Sequence, residues 1–166
     1  QTMRRAIGTL CIEPTPVILD LMAGEDSHLP EEISPRELVG LGLDQASLDA
    51  NERLTQRIIH DVNRDVRLPF DDGMFDVVLN TVSIDYVVRP VDLFAQVARV
   101  LKPGGVFVVI FTNRVFPEKA VLVWRQADET TRQLLVEEYF RSIPDFGPSR
   151  TFSSRGKPRP KEDKYA

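Results

Sequence analysis

The chain has 166 residues, of which 42% are hydrophobic, and a net charge of −4, which fit one globular domain with a sizeable core. The acidic balance gives no general field for nucleic acid or an anionic membrane, so no nucleic-acid partner is expected. Cys11 is the only cysteine, which excludes intramolecular disulfides and thiolate metal sites. His28 and His60 are the only histidines, which argues against a multi-histidine zinc site. No apolar run approaches the roughly 20 residues of a transmembrane helix.

The chain starts at Gln1 without a hydrophobic signal region, which fits either a trimmed sequence or the removal of a targeting segment. Helical spacing of apolar residues predicts a first helix over residues 2–10. A proline-rich break then leads to Val17–Leu21, a run typical of a buried parallel strand. Parallel sheets bind ligands at the carboxyl ends of their strands, so Asp20 and Gly24 are where a cofactor is expected. The alternative is an ordinary strand and loop.

The connection over residues 23–36 contains two prolines and is predicted to hold only a short helical turn over residues 27–32, with Ser27 as a possible N-cap. Glu37–Leu43 is predicted as the second strand, and its two glycines suggest a close backbone approach. Asp44 is predicted to cap a helix that ends near residues 53–55. Arg57–Val62 is the predicted third strand.

Phe75–Asn80 is predicted as the fourth strand, after a turn over residues 68–73. Pro90 opens an amphipathic helix, which the Lys-Pro-Gly-Gly segment at residues 102–105 is predicted to end. The fifth strand is predicted at Val106–Phe111, and helices follow over residues 117–125 and 128–140.

Five strands separated by crossovers predict an α/β fold with a doubly wound, mostly parallel sheet in a domain over residues 1–146. Right-handed crossovers place the carboxyl ends of these strands along one rim. Residues 147–166 are rich in Pro, Gly, Ser and basic charge and are predicted to be an extended tail, with one edge strand possible near residues 151–153. The basic charges of the tail are interpreted as solvated rather than as a nucleic-acid site.

Four predicted strands end in acids, amides or glycines, at residues 20–24, 42–44, 61–62 and 80–81. Carboxylates accept hydrogen bonds from ribose hydroxyls and exocyclic amines, and a glycine turn brings backbone N–H groups close to a ligand. The rim could therefore hold a nucleoside. Neither the Walker pattern nor Gly-x-Gly-x-x-Gly follows the first strand. Acids and asparagines also end strands as ordinary caps and turns.

Three blocks of the sequence, at residues 17–24, 68–78 and 97–105, carry a resemblance to class I S-adenosylmethionine-dependent methyltransferases, most closely to the type 11 group. The resemblance covers about residues 15–112 and includes similarity to quinone-biosynthesis methyltransferases. The segments at residues 27–30 and 113–117 are similar to a branch found in bacteria and in plant and algal plastids. The resemblance therefore implies a Rossmann-like fold, S-adenosylmethionine as cofactor, and a location in a plastid or the cytoplasm.

The resemblance also implies roles for individual residues. Asp20 and Gly24 would line the methionine and ribose part of the cofactor, and the end of the second strand would face the ribose and adenine. The end of the third strand would contact the adenine, and the end of the fourth would lie under the sulfonium. The cofactor-binding residues implied are Asp20, Gly24, Ser27, Gly42, Leu43, Asp44, Asp61, Val62, Asn80, Thr81 and Val82.

The sequence departs from the family at three places. Met22 and Asp26 occupy positions where the family usually has glycine, and the family's ribose-binding acid falls on Gly42. The antiparallel strands that normally complete the sheet are also expected to be lacking.

The loop after the fourth strand is the predicted place for substrate contacts. Asp85 could act as a base toward a hydroxyl or amine, and Tyr86 could orient that group. The alternative interpretation makes Asp85 a turn residue and Tyr86 a packing residue. Two hypotheses result: a methyltransferase that acts on a small molecule, or a methyltransferase-like subunit that has lost catalysis and docks a protein partner, with the C-terminal tail as the contact.

Overall fold

The computed structural model describes residues 4, 7–8, 14–113 and 116–153. The five strands are β1 (Val17–Leu21), β2 (Glu37–Gly42), β3 (Gln56–Ile59), β4 (Phe75–Thr81) and β5 (Leu101–Ile110). The helices are α1 (Gln45–Ala50), α2 (Pro90–Val100), α3 (Leu122–Gln126) and α4 (Glu129–Arg141), with a 3₁₀ turn at Ile84–Tyr86.

All the strand pairs are parallel, and the strand order is β3-β2-β1-β4-β5. The chain builds the sheet outward from β1 to β3 and then crosses to the other side of β1 to form β4. This reversal puts a topological switch point between the carboxyl ends of β1 and β4, which is where open parallel sheets bind ligands. The predicted doubly wound α/β fold is confirmed.

Both faces of the sheet are covered, which is why β1 is buried along its whole length. One face packs against α2 and α4, where Phe94 makes edge-on contacts with Phe107 and Phe140 at centroid distances of 4.9 Å. The other face packs against Leu48 of α1 and against Ile7. The apolar core therefore holds β1 and β4 rigidly, and with them their carboxyl ends.

The connection between β1 and β2 differs from the prediction. Residues 27–32 form no helix, and only a turn at residues 31–32 is present. His28 has a φ of 54°, which is incompatible with helix continuation. A residue outside this connection holds it in place instead: the Arg53 guanidinium donates to the carbonyl oxygens of Leu29, Pro30 and Ile33.

Two further elements end earlier than predicted. Helix α1 ends at Ala50 rather than near residues 53–55, and Leu54 lies beyond it, packed against Gly40. Strand β3 ends at Ile59 because the Asp61 carboxylate accepts a hydrogen bond from the backbone N–H of Asn63, 2.9 Å away, and so forms a turn. Asp61 and Val62 therefore lie in this turn and not in the strand.

Strand β5 begins at Leu101, five residues before the predicted start at Val106. Leu101 pairs with Phe75 and Val106 with Val77, so residues 102–105 form a bulge within the strand rather than a helix stop. Gly104 has a φ of 80°, a conformation that favours glycine.

The C-terminal part is described as far as residue 153. Only Leu122–Gln126 is helical within the predicted segment 117–125, whereas the next helix is confirmed, with Asp128 as its N-cap. Residues 151–153 form no strand, and the Thr151 hydroxyl donates to Glu137 Oε1 at 2.6 Å. Most of the predicted helix over residues 2–10 and the basic residues after 153 lie outside the described residues. Within the described ranges, no helix has the length and apolar character to cross a membrane.

Candidate functional site

Asp20 lies near the carboxyl end of the central strand β1, and its side chain is only 3% exposed. Burial raises the pKa of Asp20 to about 6; the hydrogen bond from the Ser27 side chain acts in the opposite direction, and the charge of Asp26 adds to the rise. Asp20 Oδ2 has no hydrogen-bond partner among the described residues. A buried carboxylate oxygen without a donor is costly, so this atom is available to a ligand.

Asn80 lies near the carboxyl end of β4, one residue beyond Leu79, which is the register partner of Asp20. Its Nδ2 donates to the carbonyl oxygen of Leu21 at 3.3 Å and to Ser83 Oγ at 3.0 Å, which ties the ends of β1 and β4 together. Asn80 Oδ1 and Thr81 Oγ1 are buried, and neither has a partner within the part of the chain that the structure describes. Together with Asp20 Oδ2, they are three acceptor oxygens without donors among the described residues, all near the carboxyl ends of the two central strands.

The backbone is unusual at the same two strand ends. Met22 follows β1 with a φ of 62°, and Val82 follows β4 with a φ of 50°. Left-handed backbone costs an L-residue roughly 1–2 kcal/mol, and such residues concentrate at binding sites. The family usually has glycine at position 22, where the backbone is left-handed. Here Met22 adopts that left-handed conformation.

The loop after β1 leaves room at Gly24. A Cβ atom built on Gly24 would have no heavy atom within 4 Å, whereas the Gly24 carbonyl oxygen accepts from Asn51 Nδ2 at 3.2 Å. Ser27 is 1% exposed and reaches Asp20, so the structure brings Ser27 to the site through its hydroxyl rather than as a helix cap. At the other departure from the family pattern, Asp26 contacts Arg4 and His28.

The end of β2 explains why no acid stands at position 42. A Cβ on Gly42 would lie 2.7 Å from the backbone oxygen of Ala23, so only glycine fits there. Leu43 is 64% exposed. Asp44 caps α1, because its carboxylate accepts from Ser47 N at 2.9 Å and from Ser47 Oγ at 2.6 Å, and these bonds lower the pKa of Asp44.

Asn63 connects the turn after β3 with the loop after β4, and the sequence interpretation missed it. Its Nδ2 donates to the carbonyl oxygen of Tyr86, and its Oδ1 accepts from the backbone N–H of Val88, both at 2.9 Å. The turn that carries Asp61 and Val62 is thereby joined to the loop that carries the predicted catalytic residues.

Asp85 is 6% exposed, and burial raises the pKa of its carboxyl group above the usual range for an aspartate. Burial and the Asp85 charge together raise the pKa of Tyr86. The Asp85 carbonyl oxygen accepts from Val121 N at 2.8 Å, which brings the segment before α3 against this loop. A carboxylate with a raised pKa is a better proton acceptor, so the environment suits a general base.

Large apolar side chains are exposed around this loop. Val88 follows it in sequence, and Leu122 and Val123 follow the residue that is hydrogen-bonded to it; they are 64%, 63% and 48% exposed. Among the described residues, no group of three or more His, Cys, Asp or Glu side chains could hold a metal ion.

The strand order β3-β2-β1-β4-β5 of this parallel sheet matches that of class I methyltransferases. The family described as "Methyltransferase domain" matches residues 23–109, slightly more than half of the chain. The chain belongs to this family, the type 11 group of class I S-adenosylmethionine-dependent methyltransferases, which confirms the resemblance. S-Adenosylmethionine is the cofactor that this family uses.

Two curated relatives share sequence with the chain. A malonyl-[acyl-carrier protein] O-methyltransferase of Marinomonas sp. (strain MWYL1) is 34% identical over 116 residues, covering 66% of this chain and 43% of the relative. A phthiotriol/phenolphthiotriol dimycocerosates methyltransferase of Mycobacterium tuberculosis is 37% identical over 86 residues, covering 51% of this chain and 32% of the relative. The chain thus spans less than half the length of these relatives.

Solved structures support the fold. A SAM-dependent methyltransferase from Aquifex aeolicus has a TM-score of 0.61 at 14% identity, with 81% of this chain and 77% of that chain covered. An S-adenosylmethionine-dependent methyltransferase from Mesorhizobium loti has a TM-score of 0.51 at 24% identity, covering 63% and 51%. At these identities the likeness concerns the fold alone.

Proposed function

We propose that this chain binds S-adenosylmethionine at the ends of β1 and β4 and transfers its methyl group to a small molecule. The observation that carries the proposal is that three buried oxygens near the ends of these strands have no donor among the described residues: Asp20 Oδ2, Asn80 Oδ1 and Thr81 Oγ1. The cofactor's amino and hydroxyl groups are donors that suit such acceptors. Gly24 leaves open space beside them, so the residues present fit the cofactor.

The other residues of the predicted site are assigned to parts of the cofactor by their positions. In the proposal, Gly42 and Leu43 lie beside the ribose, Asp61 and Val62 beside the adenine, and Val82 near the sulfonium. Asp44 is the weakest member of the site, since its carboxylate already caps α1.

When bound, the cofactor supplies a methyl group activated by a positive sulfonium. Displacement at such a methyl group depends mainly on alignment, so the protein's task is to position the acceptor and to remove a proton from it. We assign proton removal to the Asp85 carboxylate and orientation of the acceptor to Tyr86. The apolar side chains around this loop support an acceptor with an apolar body and one polar group that reaches Asp85.

The names of the two curated relatives agree with methyl transfer, and they refer to different acceptors. One name refers to malonyl-[acyl-carrier protein] and the other to phthiotriol and phenolphthiotriol dimycocerosates. The exposed valines and leucine near the loop that carries Asp85 agree with an acceptor that has an apolar part.

Calorimetric titration with S-adenosylhomocysteine tests the cofactor site. We expect wild-type protein to bind, Asp20→Asn to lose most of the affinity, and Asp85→Asn to retain it. Asp44→Ala is a useful comparison, because the proposal predicts a small effect. A folded protein that shows no binding at millimolar ligand would contradict the proposal and favour a subunit without catalysis.

We also propose that the segment after residue 146 contacts a protein partner. In the described part, residues 147–153 are exposed, and Thr151 holds the segment against α4 through Glu137. Truncation after residue 146 is expected to leave the folding of the domain intact and to abolish co-purification of a partner. Equal recovery of the partner with the truncated chain would contradict this role.

A further inference from the structure

Asn51 is a buried side chain, 3% exposed, at the C-terminal end of α1. Its Nδ2 donates to Gly24 O at 3.2 Å and to Ser27 Oγ at 2.9 Å, and its Oδ1 accepts from Arg53 N at 3.3 Å. A carbonyl oxygen can only accept and a backbone N–H can only donate. These partners therefore fix which way the Asn51 amide points.

The direction of the next hydrogen bond follows from counting hydrogens. The Ser27 hydroxyl has one hydrogen, and its oxygen already accepts from Asn51. That hydrogen is free to be donated to the carboxylate of Asp20, with which the Ser27 side chain is hydrogen-bonded. Asp20 Oδ2 has no donor among the described residues, so this oxygen is available to a ligand.

We propose that Asn51 is a positioning residue of the cofactor site: it orients the Ser27 hydroxyl and the Gly24 carbonyl, and so presents Asp20 Oδ2 to the ligand. The part of this inference that concerns the ligand rests on the proposed cofactor site. The part that concerns Asp20 can be measured without any ligand.

The matched control is Arg53→Met. Arg53 holds the same loop through the carbonyl oxygens of Leu29, Pro30 and Ile33, and these hydrogen bonds of its side chain involve neither Ser27 nor Gly24. Loss of Arg53 therefore loosens the loop without removing the hydrogen bond that orients Ser27. A merely structural role of Asn51 would make the two variants behave alike.

The first measurement is the titration of the Asp20 carboxyl by NMR in the ligand-free protein. Asn51→Ala and Ser27→Ala are each expected to move the Asp20 pKa above its wild-type value, because the lowering contribution of the Ser27 hydroxyl is lost, while burial and the charge of Asp26 remain. The double variant should show no further rise beyond Ser27→Ala, and Arg53→Met should titrate like the wild type.

The second measurement is calorimetric binding of S-adenosylhomocysteine. Asn51→Ala is expected to weaken binding about tenfold, since a misdirected carboxylate loses one charge-assisted hydrogen bond, and Arg53→Met to change it less than about threefold. An Asp20 titration unchanged in Asn51→Ala, or shifted equally by Arg53→Met, would overturn the proposal. If Asn51→Ala does not fold, Ser27→Ala decides instead. An Asp20 pKa equal to that of the wild type in Ser27→Ala would overturn the proposal, and a raised Asp20 pKa would support it. A shifted titration together with no binding by wild type would retain the positioning role and reject the proposed cofactor site.

Discussion

Lys102 Nζ donates to Asp76 Oδ1 at 2.7 Å, and this ion pair joins the two most recognisable sequence blocks of the chain. Asp76 lies near the start of β4 and Lys102 near the start of β5; the other oxygen of Asp76 accepts from Val17 N at 2.8 Å, at the start of β1. A single carboxylate therefore fastens three strands at the amino ends, opposite the rim. In these two blocks, Asp76 and Lys102 therefore hold the strands together and lie away from the rim.

Asp76 should consequently affect stability rather than binding. Burial raises the pKa of Asp76, but the hydrogen bonds from Lys102 and Val17 outweigh it and lower the pKa overall. We expect Asp76→Ala to lower the free energy of unfolding by about 1–3 kcal/mol, because the backbone N–H of Val17 loses its acceptor. Asp76→Asn keeps an oxygen for that N–H and should cost less. Urea denaturation measures both; equal losses would show that the Val17 contact contributes little.

The raised pKa of Asp20 predicts a pH dependence of stability with a defined sign. The folded state binds this proton more tightly than the unfolded state, so the contribution to stability is present below pH 3.8 and is lost as the pH rises to about 6. A shift of this size corresponds to about 3 kcal/mol. Asp20→Asn should abolish this part of the profile in urea denaturation between pH 4 and pH 7. An unchanged profile would show that Asp20 is not the group responsible.

Two glycines at the rim make a matched pair. Gly42→Ala would place a Cβ 2.7 Å from the backbone oxygen of Ala23 and is expected to destabilise the fold by about 1–3 kcal/mol. Gly24→Ala meets no atom within 4 Å, so its stability should change by less than about 0.5 kcal/mol. Because the space beside Gly24 is where we place the cofactor, Gly24→Ala should still weaken binding of S-adenosylhomocysteine. Full affinity in Gly24→Ala would place the ligand elsewhere.

Val82→Gly tests the strain at the end of β4. Val82 has a φ of 50° and is 39% exposed, so glycine relieves strain and loses little packing. We expect thermal unfolding to show a stability gain of up to about 1 kcal/mol. Val88→Gly, at an exposed position without positive φ, should instead lose about 0.5–1 kcal/mol. Similar losses in both variants would mean that position 82 carries no strain.

The Asn63 bridge can be tested by amide hydrogen exchange. The backbone N–H of Val88 donates to Asn63 Oδ1, so Asn63→Ala should speed its exchange about fivefold, the equivalent of about 1 kcal/mol. Asn63→Asp keeps the acceptor and should preserve most of the protection. Exchange that is equally slow in Asn63→Ala would mean that the loop with Asp85 and Tyr86 is held by other contacts.

Much of the fold was predictable because its signals are local. The apolar run of β1, the proline that opens α2 and the Asp128 cap of α4 each act within a few residues. The start of β5 was not predictable in this way. Lys-Pro-Gly-Gly is typical of a helix stop, and only the pairing of Leu101 with Phe75 makes it part of a strand.

The site residues at strand ends could be predicted from the sequence. The side chains that hold loops by hydrogen bonds to distant groups could not. Asp20 and Asn80 follow from the sheet alone. Asn51 and Asn63 contact groups 23 to 27 residues away in sequence, and isolated asparagines give no periodic pattern that would indicate such partners. The sequence also could not indicate that Met22 would adopt a left-handed backbone.

Arg53 has a consequence for the order of folding. The loop between β1 and β2 has no helix of its own, and three of its carbonyl oxygens bind a guanidinium that follows α1 in the chain. Contacts between distant parts of a chain form only after the intervening segment has closed, at an entropic cost. The loop that carries Gly24 and Ser27 therefore becomes ordered only after β2 and α1 have formed. This loop should be among the last parts of the chain to become ordered in refolding and among the first to open in unfolding.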